Sequence, residues 1–342
     1  MKTKVLTALK EADDYISGQE LCERFGVSRT AIWKAVNQLK EAGYEIEAIQ
    51  NKGYKILSVP DRLSESELQS IRKTSWAGKE IFYYDVIDST NTRAKQLAEE
   101  GHGTGTLVVA DRQDAGRGRR GRSWEGPAGS GIYMTLVLKP EINPNNASML
   151  TLVAALAVSG AITTCTGAKA GIKWPNDIVM DGKKVCGILT EMSAQFDYVN
   201  HIVVGIGINV HNESFPKEIE DVATSIYLQS GEHINRARLI EEILEQFERY
   251  YAIYLKTEDL SGLVNEYNSR LVNMQQKVRV LDPNEPYEGK AMGITGRGEL
   301  IVDMGEPETG VIGGSISERN IWICLKKKSC FVAQAHTAKN II

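Results

Sequence analysis

The chain has 342 residues, of which 42% are apolar and 25% charged, and its formal net charge is −4. That length allows two or three domains with real hydrophobic cores, and the acidic balance excludes a globally basic nucleic-acid binder, so any nucleic-acid contact must come from one local face. Five scattered cysteines without a C-x-x-C pair argue against a disulfide framework or zinc knuckle and point to a reducing, cytoplasmic setting.

The opening stretch MKTKVLTALKEADDYIS is charged and amphipathic and does not read as a signal peptide. Residues 18–42, GQELCERFGVSRTAIWKAVNQLKEA, read as two helices about a tight turn. The first ends at Phe25, Gly26 and Val27 turn the chain, and Ser28 caps the second. Ile32, Val36 and Leu39 recur at i, i+4 and i+7 and face inward, leaving Thr30, Trp33, Lys34 and Asn37 on the outer face. This is the shape of a helix-turn-helix with a polar recognition face, which Ser28 and Arg29 extend at its start. In YEIEAIQNKGYKIL the turn Asn51-Lys52-Gly53 predicts a hairpin, hence a winged helix with Lys52 and Lys55 near phosphates. The same packing also serves a protein-contact module. Pro60 and the Ser64…Glu67 pattern mark a linker and a new helix.

The central region begins with a strand, EIFYYDVI (80–87), and a capped helix, DSTNTRAKQLAEEG (88–101). Their junction presents Ser89, Thr90 and Asn91, residue types that suit plain capping as well as ligand contact. A strand at 106–110 leads into DAGRGRRGRSW (114–124), and GIYMTLVL (131–138) is the next strand. The Gly/Arg segment therefore reads as a long strand-to-strand loop, expected to order only around a ligand. Its glycines allow close backbone approach, its arginines pair with phosphate or carboxylate, and Trp124 offers a stacking face. An exposed loop with no ligand has the same composition. The apolar run ASMLTLVAALAVSGAI (147–162) is too short for a bilayer span and reads as a buried helix. In GIKWPNDIVMDGKKVCGILTEM, Asp181-Gly182 is a hairpin turn. Strand alternation sends Lys183 and Lys184 to opposite faces, with Lys184 sharing its face with Cys186 and Ile188. HIVVGIGINV (201–210) is a near-continuous apolar strand ending at Asn209, placed for ligand contact or for a turn.

Residues 235–255 form an amphipathic helix with Leu239, Ile243 and Phe247 on one stripe. Short strands follow from about residue 272, QKVRVLD, YEGKAMGI, GELIVDM and TGVIGGSI, separated by turns at Pro283-Asn284 and Gly296-Arg297-Gly298, and together they read as a small β-barrel. No His/Cys/Asp cluster has metal-ligand spacing and no Ser/His/Asp order stands out, which favours catalysis by electrostatics and positioning.

Several of these segments occur together, and in order, in one family. DSTN (88–91), GRGRRGRSW (116–124), KWPND (173–177), KVCGILTE (184–191) and GIGINV (205–210), behind a winged helix, closely resemble the bifunctional bacterial biotin–protein ligases that also repress the biotin operon. The resemblance covers residues 1 to about 317. It implies an α+β multidomain protein: a winged helix-turn-helix at 1–62, a mixed α/β ligase core similar to class II synthetases at 63–271, and an SH3-like barrel at 272–317. Residues 318–342, with three consecutive lysines, depart from the family pattern and read as an atypical tail.

The implied chemistry is activation of biotin by ATP, with Mg²⁺, to biotinyl-5′-AMP, then transfer to a lysine of a biotin carboxyl carrier domain. By resemblance, Ser89, Thr90, Asn91, Gln113, Arg117, Gly118, Arg119 and Lys184 match biotin-contacting positions, with Lys184 and Arg119 catalytic. Trp124, Asn176, Asn209 and Arg122 match positions near the adenylate, and no resident metal site is implied. The implied partners are operator DNA and a second copy of the chain in a ligand-promoted homodimer. A sensor that binds a small acid without chemistry would not need KWPND and Lys184. A nucleic-acid-modifying enzyme would be expected to interleave aromatics with the arginines.

Overall fold

Three short helices open the chain in the computed structural model, which describes residues 1–118, 123–280, 286–305 and 323–325. They are α1 (Lys2–Glu11), α2 (Gly18–Phe25) and α3 (Arg29–Glu41). Ser17 caps α2 by accepting the Glu20 N–H, Gly26 ends it with φ +65°, and Ser28 caps α3 by accepting the Ala31 N–H. Leu21, Ile32, Val36 and Leu39 pack against Val5, Leu6 and Leu9 in a core of their own. The expected hairpin follows as β1 (Glu45–Ile49) and β2 (Gly53–Ser58), with Asn51 at φ +63° in the turn.

The segment after the hairpin joins as much as it links. Helix α4 (Glu65–Ile71) starts at Ser64, whose Oγ accepts the Glu67 N–H. The Glu67 carboxylate does not return to the cap but turns towards the N-terminal unit. Lys10 Nζ lies 2.6 Å from it, the Tyr44 hydroxyl donates to it, and Glu67 is buried. Burial pushes the Lys10 ammonium below its usual range although Glu67 opposes the shift. A second tie is Asp61, whose carboxylate accepts from the backbone N–H and Nε of Arg236, both at 2.8 Å. Buried Arg236 also donates to Asp111 at 2.8 Å and to the Gly131 carbonyl at 3.1 Å.

The central sheet has eight strands: β3 (Glu80–Ile87), β4 (Thr106–Arg117), β5 (Ser123–Gly126), β6 (Gly131–Leu138), β7 (Gly171–Lys173), β8 (Asp177–Met180), β9 (Lys183–Ala194) and β10 (Val199–Asn209). Their order is β3-β4-β6-β10-β9-β8-β7, with β5 paired to β4, and β3-β4 is a parallel pair within an otherwise antiparallel arrangement. Helix α5 (Thr90–Glu99) covers part of one face through Ala94, Leu97 and Ala98 against Val108, Val137 and Val203. The other face carries α6 (Leu150–Thr166) and, after α7 (Ile226–Ser230), α8 (Arg236–Thr257). Pro144–Thr166 is long and apolar enough to cross a membrane, but α6 is buried along most of its length between the sheet and α8, as the sequence leads one to expect.

Two expectations are corrected here. The Gly/Arg segment is not simply a loop: residues 111–117 continue β4, and Gly116 and Arg117 pair with Trp124 and Ser123 of β5 in a hairpin. Strand pairing satisfies the backbone there where the side chains give no strand signal. The second concerns β9. Asp181 and Gly182 turn the chain with φ +45° and +74°, as expected, but a bulge follows. Ile178 pairs with Cys186 and Val179 with Lys184, so Val185 is the extra residue. Cys186 and Ile188 therefore enter the core, whereas Lys184 lies beside Gly187 on the opposite face.

Helix α9 (Val264–Arg270) leads into β11 (Lys277–Val280), β12 (Tyr287–Ile294) and β13 (Leu300–Asp303). With β14 (Ile323–Leu325) they form an antiparallel sheet of order β13-β12-β11-β14. Among the described residues this is an open sheet, not the closed SH3-like barrel expected. The TGVIGGSI strand and the Pro283-Asn284 turn lie outside the described residues. Part of the atypical tail is integrated, since Ile323–Leu325 pairs with β11. Val278, Val280, Ala291, Ile294 and Leu300 share the core of the central region, and Trp174 Nε1 donates to the Gly298 carbonyl at 2.9 Å.

Candidate functional site

The cleft forms where α5 stops covering the sheet. Parallel pairing sets Ile87 beside Gln113, so the strand feeding α5 delivers its first turn to the Gln113 side chain. The Gln113 Oε1 accepts the Thr90 N–H at 2.8 Å and lies 3.0 Å from Thr90 Oγ1. Ser89 caps α5, its Oγ accepting the Thr92 N–H at 3.5 Å. Asn91 points into the protein: its Nδ2 donates to Glu191 Oε2 at 2.8 Å and to the Leu189 carbonyl at 3.3 Å.

The opposite wall comes from β8 and β9. Because of the bulge, Lys184 Nζ reaches over the sheet to 2.6 Å from Asp177 Oδ1 and 5.4 Å from the centroid of the Trp124 ring. Asn176 makes two bonds with one residue: its side-chain Nδ2 donates to the Ile188 carbonyl at 3.0 Å, and its backbone carbonyl accepts the Ile188 N–H at 2.9 Å. The floor is glycine: Gly187, Gly205 and Gly207. A Cβ on Gly207 would come 3.0 Å from the Trp124 indole, and one on Gly205 would collide with the Asn91 carboxamide, so the close approach of these groups requires glycine. Trp124 Nε1 is buried and has no acceptor among the described residues.

Ser89, Thr90, Asn91, Gln113, Arg117 and Gly118 thus line one cleft with Trp124, Asn176 and Lys184. Arg119 and Arg122 lie outside the described residues. Asn209 is the exception. Its Nδ2 donates to the Thr224 carbonyl at 3.0 Å and it does not reach the cleft. It holds instead the 222–224 segment, whose backbone bonds both ways with Lys184 (Lys184 N to Val222 O 2.7 Å, Thr224 N to Lys184 O 2.8 Å). Sequence reasoning missed Asp177 as the partner of Lys184 and the glycine floor. Isolated glycines within the apolar runs of β9 and β10 were the available signal. Burial pushes the Cys186 thiol well above its usual range, so it is unsuited to nucleophilic chemistry.

On the N-terminal unit, Arg29, Thr30, Trp33 and Lys34 are exposed on α3 and Asn37 is half-buried, with Trp33 56% exposed despite its size. Ser28 spends its hydroxyl on the cap, and Arg29 donates to Gln19 Oε1 at 3.0 Å. Lys52 sits over the Tyr15 ring at 4.6 Å in the hairpin turn, and Lys55 is paired with Asp14 at 3.0 Å.

Comparison with known proteins agrees with this division of labour. Residues 2–55 match a helix-turn-helix domain, 83–209 the biotin/lipoate A/B protein ligase family, and 276–318 the biotin protein ligase C-terminal domain. The bifunctional ligase/repressor BirA of Bacillus spizizenii is 43% identical over 86% of this chain and 90% of its own length. The Escherichia coli protein of the same name is 26% identical over 92% and 96%. The biotin protein ligase from Aquifex aeolicus, solved in complex with biotin and ATP, superposes with a TM-score of 0.57 at 31% identity, covering 66% of this chain and 91% of that one. A helix-turn-helix, a ligase core and a ligase C-terminal domain, aligned in one chain with such relatives over most of their length, place this protein in the family of bifunctional ligase/repressors of the BirA type.

Proposed function

We propose that this chain is a cytoplasmic, ATP-dependent biotin–protein ligase that also represses transcription when loaded with biotinyl-5′-AMP. The observation that carries the reading is a single cleft in which Thr90 and Gln113 face Lys184 across a glycine floor. The ureido ring of biotin needs directional polar partners, because an unpaired buried N–H or C=O is costly, and Thr90 and Gln113 supply them. The biotin carboxylate and the α-phosphate of ATP repel each other. Lys184, with Arg117, offers positive charge between them, a role also assigned to Arg119 by resemblance, and this lowers the barrier to attack of a carboxylate oxygen on the α-phosphorus with departure of pyrophosphate. The amine of a carrier-domain lysine then attacks the acyl carbon and AMP leaves. Trp124, Asn176 and Arg122 are assigned to the adenylate side, where the Trp124 indole N–H lacks an acceptor and fits a polar ligand atom.

The described residues contain no group of three His, Cys, Asp or Glu side chains that could hold a metal ion. Mg²⁺ would enter on the ATP phosphates, where it would offset their charge.

Repression is assigned to the α3 face (Ser28, Arg29, Thr30, Trp33, Lys34 and Asn37) with Lys52 of the hairpin. Biotinyl-AMP would favour a homodimer that sets two such faces on a two-fold operator.

Biotin-dependent ATP–pyrophosphate exchange, followed by label transfer to a carrier domain, tests the ligase; absence of exchange in folded protein overturns it. Operator binding should rise with biotin plus ATP. If alanine at Thr30, Trp33 and Asn37 leaves that binding intact, the recognition face is misassigned.

A further inference from the structure

Thr135 lies on β6 directly beneath the cleft, fully buried, and lines no part of it. It is the cross-strand partner of Gly205, and the space left by that glycine is filled by the Asn91 carboxamide. Thr135 Oγ1 is 2.7 Å from Asn91 Oδ1 and 2.8 Å from Thr90 Oγ1, so one hydroxyl touches the first two residues of α5.

The proton directions follow from counting donors. Asn91 Nδ2 donates to the Leu189 carbonyl and to the Glu191 carboxylate, which Lys95 holds at 3.0 Å, so Asn91 Oδ1 is the accepting end of its amide. The Thr135 proton therefore goes to Asn91, because a buried amide oxygen would otherwise lack a donor. The Thr135 oxygen is then an acceptor towards Thr90. Gln113 Oε1 is an acceptor as well, fixed by the Thr90 N–H at 2.8 Å. Both protein neighbours of the Thr90 hydroxyl accept, so its proton is spent inside the protein. Thr90 faces the cleft as an acceptor, next to the Gln113 Nε2 donor.

We propose that Thr135, anchored through Asn91 and Glu191, is a positioning residue that pins the first turn of α5 and sets the hydroxyl polarity by which the cleft reads an adjacent N–H and C=O. A cyclic urea presents that pair, so the inference rests on the biotin reading of the site and deepens it.

The test is steady-state pyrophosphate exchange with biotin and ATP varied separately. Wild-type exchange is measured first and tests the ligase reading alone; the ratios of variant to wild type test the role of Thr135. Thr135→Val keeps the shape and removes the hydroxyl. It is expected to raise the biotin KM about tenfold, with kcat and the ATP KM within about twofold, and Thr135→Ser is expected to restore the wild-type value. A biotin KM unchanged in Thr135→Val, a joint rise of both KM values, or a Thr135→Ser variant no better than Thr135→Val overturns the proposal. Should Thr135→Val fail to fold, Glu191→Gln decides. It lies at the accessible end of the chain, frees Asn91 to turn, and is expected to raise the biotin KM about threefold; no change there overturns the proposal equally.

Discussion

Alternate residues of β10 do different work. Ile202, Val204, Ile206 and Ile208 face α6 and α8 and belong to the largest hydrophobic cluster. Val203, Gly205, Gly207 and Asn209 point the other way, where they meet α5, the Asn91 carboxamide, the Trp124 indole and the Thr224 carbonyl in turn. One side is continuous aliphatic packing, in which lost volume is paid in stability. The other side gives up side chains so that polar groups from distant segments can approach the backbone. A strand can therefore tune binding and stability almost independently, because its two faces share backbone hydrogen bonds but few side-chain neighbours.

The sharpest way to test this separation is Lys184→Ala, on the binding side. Pyrophosphate exchange should fall by roughly 100- to 1,000-fold, as for loss of a group that stabilises developing charge, while the thermal midpoint hardly moves. A loss of exchange matched by a loss of folding would break the separation. Gly205→Ala comes next. Its Cβ would displace Asn91, and overpacking of that kind costs about 1–3 kcal/mol, so the biotin KM and the urea midpoint should both worsen. A stability loss with unchanged biotin binding would show that the floor is merely packed. Smallest is Ile202→Val on the core side: denaturant titration should show a loss of about 1 kcal/mol, and neither KM should respond.

Much of the scaffold was legible because its signals are local. Ser28 and Ser89 are capping side chains a few residues from the N–H groups they satisfy, and β3 and β6 have the bounds their apolar patterns suggest. The cleft's first wall was legible for the same reason, since Ser89, Thr90 and Asn91 sit at one junction. What escaped depends on partners far along the chain. Residues 111–117 are strand because β5 pairs with them, which their Gly/Arg composition conceals. Asn209 donates to the Thr224 carbonyl, a partner that its place at a strand end does not announce. Thr135, a single threonine in an apolar strand, has meaning only once Asn91 and Thr90 are brought above it. The two carboxylates that grip Arg236 come from Asp61 and Asp111, and no local pattern announces that meeting.

The extra residue at Val185 has a consequence for how this protein can change. Lys184 and Cys186 are two apart, yet one faces the cleft and the other faces the core, because the bulge shifts the strand's frame between them. Substitution at Val185 alters packing and leaves that frame alone. Deleting it would make Lys184 and Cys186 neighbours in a regular strand, where simple alternation still sends them to opposite faces. What the extra residue supplies is a second consecutive side chain in the core, Val185 beside Cys186, both fully buried and so not free to vary in size.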